Sequence, residues 1–119
     1  MFKLQDYKIN QKIYESANTT EEKQDLARLN LKAGLRAKES TAYQSALEHF
    51  KTSILLFPEP IWTDDHDSAF VLHKERIECE YLTGNFEEAE KLVEELQSRP
   101  LAMFELVQLH LMRTTYNAM

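Results

Sequence analysis

The sequence predicts an all-α fold, a short α-solenoid of antiparallel helical hairpins with about five to six helices, on three observations. The 119 residues include only 2 Gly and 3 Pro, too little turn chemistry for a hairpin-rich β fold. Hydrophobic residues make up 43% and charged residues 29%, and the apolar ones recur at three- and four-residue spacing. Helix start and stop signals punctuate the chain at intervals that leave short connections. The length suits one module and no second domain.

Residues 1–19 read as a leading helix, with Phe2, Ile9 and Ile13 on one side and Tyr7 and Tyr14 beside them. Thr19 and Glu22 have capping-box spacing, in which hydroxyl and carboxylate satisfy the free N–H groups of a first helical turn. A helix is therefore expected from about Thr20 to Lys38, with Leu26, Leu29, Ala33 and Ala37 inward and Glu21, Lys23, Asp25, Arg28 and Lys32 in water. Ser40 and Thr41 are candidate N-caps for a second helix whose stripe is Tyr43, Ala46, Leu47, Phe50, Ile54 and Phe57, with Pro58 and Pro60 ending it. Residues 20–58 thus form a first hairpin.

Residues 59–66 read as an ordered loop, because Ile61 and Trp62 are too apolar for a free linker. Asp64, Asp65 and Asp67 suit a helix N-terminus, and Phe70, His73, Ile77 and Tyr81 then line one face. Thr83 and Gly84 stop that helix. Asn85 and Glu88 again have capping-box spacing, ahead of a stripe of Phe86, Ala89, Leu92, Val93 and Leu96. Residues 67–98 form the second hairpin. In residues 99–119, Phe104, Val107 and Leu111 fall on one helix face and Leu106, Leu109 and Met112 on another. Two apolar faces need two sets of neighbours, so this segment is expected to be the first helix of an incomplete third unit and to offer a protein interface.

Gly34, Ala46, Phe50 and Pro58 stand at the intervals of the tetratricopeptide repeat, and Gly84, Phe86 and Ala89 in TGNFEEAEKL resemble its connecting turn and second helix. Gly34 and Ala46 are expected to let two helices approach closely, while Phe50 fills space against the next unit. The first helix departs from the pattern, with Asn30, Ala33 and Ala37 where larger residues are usual. LARLNLKAGLRAKESTAY (26–43), Ala46 to Phe50, Trp62 and ECEYLTGNFEEAEKL (78–92) further resemble the helical region that follows the ATPase part in large bacterial serine/threonine kinase–ATPase–sensor histidine kinase signalling proteins. This resemblance implies a regulatory or scaffolding segment whose catalytic parts lie outside these residues.

Several function classes are excluded on chemical grounds. Two isolated glycines cannot cradle a phosphate. A formal net charge of -6 repels nucleic acid and anionic membrane surfaces, and charged residues interrupt every apolar run before it could span a bilayer. One cysteine, Cys79, and an N-terminal stretch without the apolar core of a secretion signal point to the cytoplasm. His66 among Asp64, Asp65 and Asp67 is better explained by a helix N-terminus than by a metal. Cys79, between Glu78 and Glu80, reads as a packing residue. His73 is expected half-buried and hydrogen-bonded, and His110 packed among apolar neighbours. Glu87, Glu90, Lys91 and Glu94 form a solvated surface.

The expected function is a non-catalytic protein-interaction or scaffold module, needing no cofactor or metal. Its expected partners are neighbouring domains of a parent signalling protein, a separate chain, or a second copy through the C-terminal helix. The alternative is a free-standing four-helix phosphotransfer component with His49 as acceptor, with Lys51 close by.

Overall fold

The computed structural model describes residues 19–57 and 61–118, so the expected leading helix and Pro58 lie outside the described residues. Thr19 opens the first helix, its hydroxyl accepting the Glu22 N–H at 3.0 Å, and α1 runs over Thr20–Glu39. Then follow α2 (Tyr43–Leu56), the short α3 (Ile61–Asp64), α4 (His66–Leu82), α5 (Phe86–Gln97) and α6 (Met103–Asn117). The described residues form six helices and no strand, as an all-α reading requires. The expected loop ahead of α4 contains α3, which buries Ile61 and half-buries Trp62.

The two hairpin turns are built alike. After α1, the Ala42 N–H returns to the Ala37 carbonyl at 2.8 Å and the Thr41 N–H to that of Lys38 at 2.9 Å. After α4, Asn85 N–H bonds the Glu80 carbonyl at 2.8 Å and Gly84 N–H that of Tyr81 at 3.0 Å. Both are Schellman closures, which place one residue in the left-handed region. Gly84 does so at φ 87°, and Thr41 at φ 61°. Ser40 and Thr41 therefore terminate α1 and do not cap α2, whose N-cap is Ala42 without a side-chain bond. Asn85 likewise makes no cap bond to α5; its amide donates to Glu80 Oε1 at 2.9 Å.

The buried face of α1 is Ala27, Asn30, Gly34 and Ala37, a turn away from the expected stripe, and Leu29 is 61% exposed. This face is small and polar because α2 lies close against it. A Cβ on Gly34 would sit 2.7 Å from Phe50 Cδ1 and 2.9 Å from Cζ, so Phe50 fills the gap over Gly34 within its own hairpin. Further along, Ser53 Oγ donates to the Ala27 carbonyl at 2.7 Å and His49 Nδ1 lies 3.0 Å from Asn30 Oδ1. Forty-three residues on, the positions equivalent to Gly34 and Phe50 are Ile77 and Val93, both in the second core cluster. A glycine–phenylalanine pair in one hairpin is thus replaced by two medium-sized aliphatic residues in the other.

The first helices of successive units run parallel, and polar contacts hold both ends of each pair. Arg28 meets Asp65 at 3.3 Å, and Lys38 binds Glu75 and Glu78, which fixes α1 beside α4. His66 meets Glu105 at 2.9 Å, and the Tyr116 hydroxyl donates to Glu78 at 2.8 Å, which fixes α4 beside α6. Helices α1, α4 and α6 therefore form one layer, with α2 and α5 packed against it.

Candidate interaction surface

Helix α6 is held on its inner side by residues at both ends and in the middle. Near its start, Glu105 is 2% exposed; its carboxylate accepts the Ala102 N–H at 2.8 Å and faces His66 Nε2 at 2.9 and 3.0 Å. Burial works to raise the Glu105 pKa, but the bonds to His66 and Ala102 outweigh it and hold the carboxyl below its ordinary range. In the middle, Leu109 and Met112 enter the cluster of Phe70, Ile77, Tyr81, Ala89, Val93 and Leu96. Toward the end, Arg113 binds Glu90, with Nε at 3.0 Å and a terminal nitrogen at 2.8 Å. Tyr116 stacks on Tyr81, the rings 5.1 Å apart and 12° from parallel.

The opposite side of α6 has no such neighbours. Residues two apart in a helix are turned about 200° from each other, so Val107 and Leu111 point away from the buried Leu109. Met103, Phe104, Val107 and Leu111 are 75%, 62%, 47% and 59% exposed. Leu106 is half-buried at the edge, and Leu109 and Met112 are buried. The six residues singled out as an interface thus divide, with Phe104, Val107 and Leu111 outward and the other three inward or at the rim.

The repeat residues lie in the hairpins. Gly34, Ala46, Phe50 and Ala89 are buried, Gly84 is exposed in its turn, and Phe86 is 47% exposed with its ring edge-on to Tyr81 at 5.9 Å. His49 is 3% exposed and bonded to Asn30, so it does not stand at the surface as a phosphoacceptor must. His110 is exposed and not packed. His73 is half-buried, its Nδ1 2.8 Å from the Ala69 carbonyl. Cys79 is fully buried, and burial pushes its thiol up to about 12. Glu90, expected in a solvated surface, instead receives the Tyr81 hydroxyl and Arg113; these bonds hold its carboxyl below the usual range.

Sequence reasoning missed the polar ties between helices. Burial lowers the Lys38 pKa, but Glu75 and Glu78 outweigh it and hold the ammonium above the ordinary lysine range. Arg76 pairs with the buried Glu80 at 3.3 Å. Arg99 lies 4.5 Å from the Trp62 ring centroid, beside a cleft of ≈ 420 Å³ between α4 and α5 that includes His73, Arg76, Ile77 and Leu96. Partners 37 to 40 residues apart leave no local spacing signal; only a register derived from the repeat could have found them.

No protein-family model and no solved structure matches the chain. Over 88 residues, 66% of this chain, it is 28% identical to the hybrid signal transduction histidine kinase G of Dictyostelium discoideum. The chain spans 3% of that relative's length. The similarity is distant and partial, and it links an all-helical domain to a signal-transduction histidine kinase outside the bacteria.

Proposed function

We propose that this chain is a non-catalytic scaffold module of a large signal-transduction protein, of the helical kind that accompanies an ATPase part, and that it contacts protein through the outer face of α6. The observation that carries the reading is that face: four large apolar side chains exposed on one helix, where a contiguous patch of a few hundred Å² marks an interaction site. The distant likeness to a hybrid histidine kinase supports the signalling context. The internal chemistry supports a structural role, because Cys79 is held as a neutral buried thiol and the carboxylates of Glu78, Glu90 and Glu105 are tied to cations or donors between helices.

A photo-cross-linking amino acid at Gln108, beside Val107 and Leu111, tests the reading in cells. A protein adduct identified by mass spectrometry from position 108, and none from Lys91 on the outer side of α5, is the expected result. Equal labelling from both positions, or none from 108, overturns it. Phosphotransfer is tested separately, by incubation with a phosphorylated receiver domain; wild type and His49→Gln are expected to take up no acid-labile phosphate alike.

A further inference from the structure

The outer face of α6 is uncharged as well as apolar. Its exposed positions from Met103 to Thr115 carry Met, Phe, Val, Gln, His, Leu and Thr, with no acid, Lys or Arg. The two charged residues of the helix, Glu105 and Arg113, are turned inward onto His66 and Glu90. Across the chain, by contrast, 29% of residues are charged and the net charge is -6. Two copies meeting through most other surfaces would bring acid against acid. A basic partner would gain nothing on this face and would be drawn to exposed acids such as Glu87, Glu94 and Glu95 on α5.

We infer that the occupant of this face is a second copy of the chain, its α6 lying antiparallel across the first about a twofold axis; the inference rests on reading the face as a protein contact. A twofold interface uses the same patch on both sides, which a neutral apolar face permits without repulsion. Antiparallel pairing sets Val107 against the partner's Leu111. The same axis sets Phe104 against the partner's Thr114, a large side chain over a small one at each end, and opposes the two helix dipoles favourably. The exposed apolar area is on the order of 400 Å² per chain, below the ~800 Å² per partner of a standard interface. The dimer therefore dissociates on dilution.

Sedimentation equilibrium over a concentration series is expected to show a mass rising from 14.0 kDa toward twice that value. Val107→Glu with Leu111→Glu is expected to stay monomeric with an unchanged circular dichroism spectrum. Mixing it with Val107→Lys plus Leu111→Lys restores the dimer. Geometry is read by oxidation of Phe104→Cys with Thr114→Cys. Antiparallel pairing brings these positions together across the axis but leaves each about 15 Å from its own copy, too far for a disulfide. The double variant therefore cross-links and neither single variant does, while the buried Cys79 takes no part. Cross-linking of the single variants overturns the antiparallel pairing, and a dimer that survives the glutamates overturns the surface. A wild type that is monomeric at every concentration overturns the second copy as occupant, whereas the adduct at Gln108 decides the underlying reading independently.

Discussion

Thr41 is the residue where local chemistry and fold disagree most. A β-branched side chain at φ 61° occupies a position that its counterpart in the second hairpin gives to glycine, and the left-handed region costs about 1–2 kcal/mol for a residue with a Cβ. Thr41→Gly should therefore stabilise the chain by up to ~1 kcal/mol after glycine's own entropy cost, read as a raised urea midpoint with an unchanged slope. Gly34→Ala should act in the opposite sense. Its methyl would enter the ring of Phe50, and overpacking of that kind costs about 1–3 kcal/mol; Phe50→Leu in the same background should recover part of the loss. Gly34, Ala46 and Phe50 were legible in the sequence because their spacing is set by the close approach of two helices. Thr41 was not, because Ser and Thr serve both helix starts and helix ends, and only the return of the Ala42 N–H to Ala37 shows which role is filled.

Between helices, the ties are carboxylates held below their ordinary values. Glu78, Glu90 and Glu105 all have lowered pKa values, so their contribution is present above the unfolded value of 4.5 and is lost as pH falls through the folded values. Thermal melts should accordingly hold steady from neutral pH to about 5 and then decline, and Glu105→Gln should be destabilised at pH 7 with a shallower acid slope. The thiol gives the alkaline counterpart. Cys79 ionises at 9.0 when unfolded and stays neutral until about 12 when folded, so stability falls as pH rises above 9.0, and Cys79→Ala should lose part of that slope. Maleimide should modify Cys79 only as fast as the chain opens. The apolar stripes of α2, α4 and α5 were legible because Leu, Ile, Phe and Val mark their inner faces. That of α1 was misread by one turn, because its inner face is Ala27, Asn30, Gly34 and Ala37, which hydropathy does not single out.

Over the whole molecule, the hairpin of α1 and α2 is the most extensively packed pair, while α6 joins the rest only through α4 and α5. Amide exchange should follow that gradient, with α6 exchanging first and the protected amides around Ala27 to Gly34 and Ala46 to Ser53 last. A uniform rate across all helices would contradict it. The order of the helices and the presence of a repeat were legible from start and stop signals. The parallel layer of α1, α4 and α6 was not, since its contacts join residues 37 to 40 positions apart and no helix reveals them by itself. The light attachment of α6 links its two sides energetically. Whatever covers Val107 and Leu111 binds only the docked helix, so it suppresses fraying by mass action. Burial on the outside would therefore appear inside, as slower exchange at Leu109 and Met112 and a His66–Glu105 pair that stays closed to lower pH.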